Sequence, residues 1–324
     1  MTDAHLVLGR LLPDRFLGGR LPLSVEAARR ALRPIARAYA RLAGGDLQRA
    51  AASIVRVANV NMERALRVVS VERGHDPRRF TLVAFGGAGP LHACELAEAL
   101  AIPRVLVPPF PGVLSAFGMA AAPVTHDEVQ AFLGPVPADG HGGFAKKLER
   151  AFAGLEARAK RALAGSGRIR LRRALDLRYA GQSYELTVPI ASPPAGCAPS
   201  RFLPAFHRAH RRRYGHLSRE GRPVEVVALR VRAEAPGTPI ASGPPLPKGS
   251  GDAKAALLEW WPVWFGTMRR AAVYDRSLLG AGDRLRGPAL VLQLDATTAL
   301  PPGWRGVVDG VGNLLMERAG EQAM

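Results

Sequence analysis

The sequence predicts a mixed α/β protein, with a parallel α/β unit in its first third and a strand-rich α+β region after it. One observation is the order strand, glycine turn, helix and strand between residues 80 and 107. The other is a period of two in the apolar residues of 168–190, which is typical of paired strands with one buried face. Because the two patterns lie far apart in the chain, we expect two structural regions.

The glycine turn at residues 86–90 is the first candidate site. Phe80–Phe85 is a short apolar run that predicts a buried strand, and Pro90 suits the first position of a helix. The glycines between them allow a turn and close approach of a ligand, and a helix N-terminus favours an anionic or nucleotide ligand. On local sequence alone, a tight structural turn is the simpler interpretation.

The strand Arg104–Val107 follows, and Pro111-Gly112 leads into a helix of small residues. A right-handed crossover makes the two strands parallel. Ligands of such sheets bind at the carboxyl ends of the strands, which lie here at Gly86–Pro90 and near Pro108–Ser115.

Before this unit, the sequence predicts a short helix after Ser24, a second one opened by Pro34, and a long helix from Asp46 to Gly74. The polar residues of the long helix, Asn59, Asn61 and Glu63, are either solvated or close to a ligand.

After Pro123 the pattern changes. The elements that we expect there are a basic helix at 145–164, a hairpin at 168–190, a helix at 201–214, a strand at 224–233, a linker at 236–251, a strand at 259–265 and a closing strand at 312–316.

Composition limits the class of protein. The 324 residues are 48% hydrophobic and 22% charged, and neither a run of eighteen apolar residues nor a leader pattern occurs, so we expect a cytoplasmic protein. Cys94 and Cys197 form no metal or disulfide pattern. The net charge of +18 raises the question of nucleic acid, but the arginines are dispersed and no nucleic-acid motif accompanies them.

Known catalytic patterns fit poorly. The turn GGAGP is neither a dinucleotide fingerprint nor a Walker A loop. His92 and Cys94 are two positions apart on a helix and diverge, so Cys94 is expected in the core and His92 at the turn or near a ligand. Asp3 and Asp295 are each a turn or cap residue, or a ligand of a metal-bound phosphate.

The histidines at 207, 210 and 216 are spaced to share a metal or, with the arginines around them, to bind phosphate or RNA. The positive charge of these arginines opposes a divalent cation. A solvated helix face is therefore the preferred interpretation.

The sequence resembles the A-type subunits of the hydantoinase/oxoprolinase family, which includes N-methylhydantoinase, 5-oxoprolinase and acetone carboxylase subunits. The blocks that carry the resemblance are TDAHLVLGRL (2–11), VANVNMERALRVVSVERGHDPRRFTLVAFGGAGPLHA (57–93), VPPFPGVLSAFG (107–118), LRYAGQSYELTVP (177–189), FHRAHRRRYGH (206–216) and GPALVLQLDATTALPPGW (287–304).

The resemblance implies a partial actin-like (ribonuclease H-like) ATPase lobe at 1–122 and an α+β C-terminal domain of hydantoinase-A type at 123–324. It implies ATP and Mg²⁺ as cofactors, with the adenosine held by Gly86, Gly87, Ala88, Gly89 and Pro90. It further implies that ATP phosphorylates a cyclic amide of hydantoin or 5-oxoproline type to promote ring opening. Asp3 is the one candidate for a catalytic residue.

Two positions depart from the family pattern, since His5 stands where an asparagine is common and Leu292 where an acidic residue is common. The family's first lobe, with its phosphate loops, has no counterpart in the sequence. We therefore expect a chain that is inactive alone and works with that lobe, in the same or a separate chain, and with a B-type subunit. The alternatives are a non-catalytic partner-binding remnant and a subunit that phosphorylates an enolate, as in acetone carboxylase.

Overall fold

The computed structural model describes residues 1–38, 40, 45–137, 142–191, 197–216, 222–237 and 246–319. The chain forms two compact units, one of Met1–Gly118 with Ser242–Met324 and one of Met119–Ala241. No helix in the described part of the chain is both long and apolar enough to cross a membrane.

The helices are α1 (Thr2–Val7), α2 (Val25–Ala38), α3 (Leu47–Val69), α4 (Gly89–Ala99), α5 (Leu114–Ala121), α6 (Gly142–Ala162) and α7 (Pro199–Tyr214). The strands are β1 (Thr81–Val83), β2 (Arg104–Val107), β3 (Val124–Pro135), β4 (Arg170–Tyr179), β5 (Leu186–Ile190), β6 (Val224–Ala235), β7 (Leu257–Trp264), β8 (Met268–Asp275), β9 (Arg284–Arg286), β10 (Ala289–Leu292), β11 (Thr297–Leu300), β12 (Trp304–Val308) and β13 (Leu314–Arg318).

The long helix α3 begins and ends where its sequence predicts. The carboxylate of Asp46 accepts hydrogen bonds from the N–H groups of Gln48 and Arg49, which caps the free amides of the first turn. After Val69 a short 3₁₀ turn ends at Gly74, which has a φ of +80°. The capping prediction is confirmed.

The prediction of two helices separated at Pro34 is wrong. A single helix, α2, runs through Pro34. Its buried residues, Ala28, Leu32 and Ala36, lie four residues apart and form one continuous apolar stripe across the proline. Tertiary packing of this stripe therefore outweighs the local cost of the proline.

Parallel pairing of the first two strands is confirmed. Thr81 pairs with Arg104 and Val83 with Leu106, and α4 connects the strands. The sheet has the order β1-β2-β13-β12-β9, so β1 is one of its edges. Strand β1 is shorter than the apolar run 80–85 suggests, and the prediction that it is buried is wrong, because β1 is a sheet edge and Val83 is 47% exposed.

The rest of the first unit comes from the end of the chain. Strand β13 pairs antiparallel with β2, with Leu314 opposite Val107. A second sheet has the order β11-β10-β8-β7, in which β10 is parallel to β8 and antiparallel to β11. The sequence-based division places all of 123–324 in one domain, whereas strands β7–β13 belong to the unit of the glycine turn, because pairing over such distances leaves no local sequence pattern.

The second unit is a four-stranded antiparallel sheet of order β3-β6-β4-β5, with α6 and α7 contributing to its core. The predicted hairpin is confirmed, since β4 and β5 pair antiparallel. One residue on its apolar face is charged: Arg173 is buried and forms ion pairs with Glu149 and Glu156 of α6, each at 2.7 Å. The predicted linker 236–251 lies partly outside the described residues.

Candidate functional site

The glycine turn lies between the end of β1 and the start of α4, at the carboxyl end of the parallel strands. Gly86 has a φ of +81°, which favours glycine, and its N–H donates to the carbonyl of Pro111 at 2.7 Å. No atom lies within 4 Å of a Cβ built on Gly86 or Gly89. The backbone of the turn therefore has open space in front of it.

Two further loops meet this turn. One is 108–113, which follows β2, and the other is 293–296, which connects β10 to β11. The N–H of Gly112 donates to Asp295 Oδ2 at 2.7 Å. A Cβ on Gly112 would stand 2.4 Å from the carbonyl oxygen of Asp295, so only glycine allows this approach.

Gln293 completes the connection, since its Nε2 donates to the carbonyl of Pro109 at 2.9 Å and to Asp295 Oδ1 at 2.7 Å. Loops 84–89, 108–113 and 293–296 form one surface, which we call the three-loop edge. The structure thus brings one predicted candidate, Asp295, to a second, the glycine turn, over about two hundred residues of chain.

Exposed apolar side chains surround the three-loop edge. Phe85 is 51% exposed, Phe110 65% and Leu294 52%, and each comes from a different loop. Burial of such side chains releases water from apolar surface, so their exposure suits contact with a ligand or another protein.

A chain of polar side chains runs behind the turn. His92, in the first half of α4, bonds Asn59 of α3 through Nδ1 at 2.7 Å and His5 of α1 through Nε2 at 3.2 Å. Asn59 also donates to Glu95, which forms a 2.7 Å ion pair with the buried Arg10. These contacts join α1, α3 and α4.

The hydrogen bonds define the tautomers of the two histidines. Because the amide nitrogen of Asn59 donates to Glu95, its oxygen accepts from the Nδ1–H of His92. The Nε2 of a neutral His92 then accepts from the Nε2–H of His5. His5 Nδ1 is left as a buried acceptor without a partner in the described part of the chain.

Burial keeps both rings neutral. Desolvation lowers the pKa of His5 from 6.5 to about 3, and the neighbouring His92 and Arg10 add to the effect. Desolvation also lowers the pKa of His92, against the attraction of Glu95. At neutral pH the two rings are therefore uncharged and are joined by one hydrogen bond.

An open groove of about 420 Å³ lies beside this chain. Its lining includes Arg10, Asn59, Glu63, Glu95 and Trp264. Two of the three polar residues singled out on α3 from the sequence, Asn59 and Glu63, thus face the groove. Arg10 and Glu95 were missed by sequence reasoning, although Glu95 follows His92 by three positions and so shares its face of α4.

The other candidates lie elsewhere. Asp3 is exposed in the first turn of α1, and in the described part of the chain its side chain forms no hydrogen bond or ion pair with the three loops. Cys94 is buried, its Sγ lies 3.5 Å from the carbonyl of Ala299, and burial raises the pKa of its thiol. A buried thiol with a raised pKa is a poor nucleophile, as the core interpretation of Cys94 requires.

His207 and His210 of α7, and His216 after its end, make structural contacts, so the prediction of a solvated helix face is wrong for His210. His207 Nδ1 bonds the hydroxyl of Tyr179 at 2.8 Å, and the Nδ1–H of the buried His210 donates to the carbonyl of His216 at 2.9 Å. His216 in turn donates to the carbonyl of Tyr214. Among the described residues no three His, Cys, Asp or Glu side chains are grouped to hold a metal ion.

Comparison with known proteins gives a consistent result. The family model described as hydantoinase/oxoprolinase matches residues 1–128. An uncharacterized protein of Methanocaldococcus jannaschii is 33% identical over 98% of this chain and 44% of its own length. Caprolactamase subunit alpha of Pseudomonas jessenii is 30% identical over 95% of this chain and 45% of its own.

Solved structures agree with the fold. The nucleotide-free structure of acetone carboxylase, from work on ATP-dependent acetone carboxylation, superimposes with a TM-score of 0.77 at 24% identity, over 98% of this chain and 46% of that one. The ATP-dependent caprolactamase from Pseudomonas jessenii superimposes with a TM-score of 0.74 at 27% identity, with the same coverage. The chain spans less than half the length of the relatives that it matches.

Proposed function

The chain belongs to the hydantoinase/oxoprolinase family, and from this premise we propose that it supplies the adenosine side of a nucleotide site in an ATP-dependent enzyme. The observation that carries the proposal is the three-loop edge, where the glycine turn has open space in front of its backbone at the N-terminus of α4. The caprolactamase from Pseudomonas jessenii is ATP-dependent, which supports a nucleotide as the ligand.

The turn fits the nucleoside part of the ligand. Gly86–Pro90 exposes main chain that a ribose or base can approach, and Phe85 and Phe110 provide exposed aromatic surface. The sequence holds no Walker A loop that would grip the phosphates. We therefore propose that residues 86–90 contact the adenosine, while the phosphates extend away from this turn.

The reaction that we propose is activation of a carbonyl compound by phosphoryl transfer. The oxygen of an amide or enolate takes the γ-phosphoryl group, and ADP leaves with the electrons of the broken P–O bond. In a cyclic amide, the phosphorylated carbon becomes a better electrophile, so water attacks it, the ring opens and phosphate is released. A cyclic amide such as a lactam is the preferred substrate class, since the caprolactamase relative is 30% identical.

Mg²⁺ is a prediction from the resemblance only. Both carboxylate oxygens of Asp295 already accept hydrogen bonds, and Asp3 is an isolated exposed carboxylate in the described structure. Proteins hold Mg²⁺ through one or two carboxylates together with the phosphates of the substrate.

A partner protein is part of the proposal. Exposed valines on α3, Val57, Val60 and Val68, lie in the same unit as the exposed edge strand β1, and both kinds of surface favour association. A B-type subunit or the further length of a larger relative would cover them. Light scattering of the chain with and without a co-expressed B-type subunit tests this, and a complex is the expected result.

Nucleotide binding is tested with a glycine pair. Gly89→Ala places a methyl group in the open space in front of the turn, whereas Gly154→Ala places one in equally open space on α6 of the other unit. Calorimetric titration with ATP should show affinity reduced about tenfold or more for G89A and unchanged for G154A, with both variants folded. Equal affinity of G89A and wild type, or no binding by the wild type, would contradict the proposal.

Turnover gives a second test. Because the sequence contains no phosphate loop of its own, we expect the 324-residue chain to bind ATP without hydrolysing it. Release of phosphate from ATP should stay at the background rate. A robust rate from the purified chain would show that a complete phosphate site lies within it.

A further inference from the structure

Asp295 lies where the three loops meet, and neither the family match nor the relatives' names give it a role. Its Oδ2 accepts from the N–H of Gly112 and its Oδ1 from Gln293 Nε2, each at 2.7 Å. Gln293 also donates to the carbonyl of Pro109. The turn between β10 and β11 therefore holds loop 108–113 at two points, three residues apart.

This contact is close and specific. A Cβ on Gly112 would stand 2.7 Å from Cβ of Asp295 as well as 2.4 Å from its carbonyl oxygen. On Gly87, a Cβ would stand 3.3 Å from the same carbonyl oxygen. Asp295 thus fits between two glycines that belong to different loops.

Loop 108–113 in turn fixes the glycine turn, because the N–H of Gly86 donates to the carbonyl of Pro111 at 2.7 Å. Two hydrogen bonds, joined by the peptide bond between Pro111 and Gly112, therefore connect Asp295 to Gly86. Charge-assisted hydrogen bonds such as that between Asp295 and Gly112 are shorter and stronger than neutral ones. Loss of the carboxylate should loosen both loops.

The loop that Asp295 holds also presents Phe110, which is 65% exposed. Phe85 is 51% exposed and precedes Gly86, whose N–H bonds the residue after Phe110. The flat faces of aromatic side chains bind nucleic acid bases by stacking, whatever the base.

We propose that Asp295 is a positioning residue that holds loop 108–113 against the glycine turn, so that Phe110 contacts the base of a purine nucleotide. The inference rests on the proposed function and extends it to the two loops outside the family's glycine turn. In this proposal Asp295 acts through Gly112, since its Oδ2 accepts from Gly112 and its Oδ1 from Gln293.

Binding of adenosine, ADP and Mg²⁺-ATP to the full chain tests this role. Asp295→Ala and Phe110→Ala should weaken all three ligands by a similar factor, roughly tenfold, because the lost contacts concern the nucleoside end that the ligands share. Asp295→Asn keeps an acceptor for the N–H of Gly112, so its nucleotide affinity should fall much less than that of D295A. Phe80→Ala is the matched control, since Phe80 is also an exposed phenylalanine, 51% accessible, and lies at the opposite end of β1, so its loss should leave affinity unchanged.

Two results would overturn the inference. A loss in D295A that is confined to Mg²⁺-ATP would mean that Asp295 serves the phosphates or the ion. Binding by F110A as tight as that by F80A would remove the base contact.

Hydrogen exchange tests the contact of Asp295 without any nucleotide. In D295A, exchange of peptides that cover 109–113 and 84–88 should rise, while peptides of α7 stay unchanged. Unchanged exchange in the first two would overturn the positioning role even if nucleotide binds. Gln293→Ala replaces D295A if that variant does not fold. Absence of nucleotide binding by the wild type would reject the proposed function and the base contact, and the exchange data would still decide whether Asp295 holds the loop.

Discussion

The three-loop edge and the histidine cluster of His207, His210 and His216 differ in how much of their surface is free to contact a ligand. In the cluster, residues of α7, of β4 and of the segment just after α7 satisfy one another: His210 packs against Tyr179, Phe206 and Tyr214 and is 1% exposed. At the edge, residues from three distant loops converge and leave main chain and aromatic surface open. The histidine-rich segment therefore serves the structure of its unit, whereas the glycine turn forms part of a candidate binding site.

The difference has a physical origin. An imidazole that is buried among rings and bonded to a carbonyl contributes packing and a satisfied hydrogen bond, and the surrounding rings shield it from ligands in solution. A glycine turn at the carboxyl end of parallel strands has no side chains that could cover it. The two regions differ in the openness of the main chain more than in the type of side chain.

The largest expected effect is on stability, from His210→Ala. The substitution leaves a cavity among three aromatic rings and should lower the free energy of unfolding by about 3 kcal/mol. His216→Ala removes an exposed ring and should cost less than about 0.5 kcal/mol. Urea unfolding followed by circular dichroism measures both. If H210A also abolished nucleotide binding, the cluster would have a role in the site that we do not assign to it.

Gly112→Ala should be the most damaging small change at the three-loop edge. The added Cβ would meet the backbone of Asp295 and force the two loops apart. This separation should lower the free energy of unfolding by about 2 kcal/mol and should also weaken nucleotide binding. Gly310→Ala, in open space in the same unit, should be nearly neutral. Thermal unfolding and calorimetric titration give the two readouts, and a G112A protein that binds ATP normally would refute the coupling of the loops.

The His5–His92 pair predicts a pH dependence. The unfolded chain protonates His5 below pH 6.5, whereas the folded chain resists protonation until about pH 3. The contribution of His5 to the free energy of unfolding is therefore fully present above pH 6.5 and is lost as the pH falls below that value. Between pH 6.5 and 5, the slope from His5 should approach 1.4 kcal/mol per pH unit, by the usual conversion of one pKa unit to about that energy. His5→Asn should flatten the curve in this window. Equal slopes for the two proteins would show that His5 titrates normally.

Zinc should produce the smallest effect. Among the described residues, no three His, Cys, Asp or Glu side chains are grouped so that they could hold a metal ion, and this includes His207, His210 and His216. We therefore expect added Zn²⁺ to leave the melting temperature of the chain unchanged. A rise that His207→Ala removes would restore the metal interpretation of the cluster.

Local patterns predicted the elements that local forces decide. The cap at Asp46, the parallel pair β1 and β2, and the hairpin of β4 and β5 all follow from spacing and turn residues. The predicted helix break at Pro34 was wrong because burial of Ala28, Leu32 and Ala36 against the rest of the unit stabilises one continuous helix.

Long-range contacts were beyond local patterns. Nothing near Leu314 indicates that β13 pairs with β2, and nothing near Asp295 indicates Gly112, which lies 183 positions away. Arg173 occupies an apolar position of β4 because Glu149 and Glu156 of α6 neutralise it. For such residues the partner decides the role, and the partner is known only after folding.

Photo-crosslinking with 8-azido-ATP, followed by peptide mapping, tests the central claim most directly. We expect saturable labelling of peptides that contain Phe85–Pro90 and Phe110, which unlabelled ATP suppresses and which Asp295→Ala reduces. Labelling that ATP does not suppress, or labelling confined to α7 and its arginines, would contradict a nucleotide site at the three-loop edge.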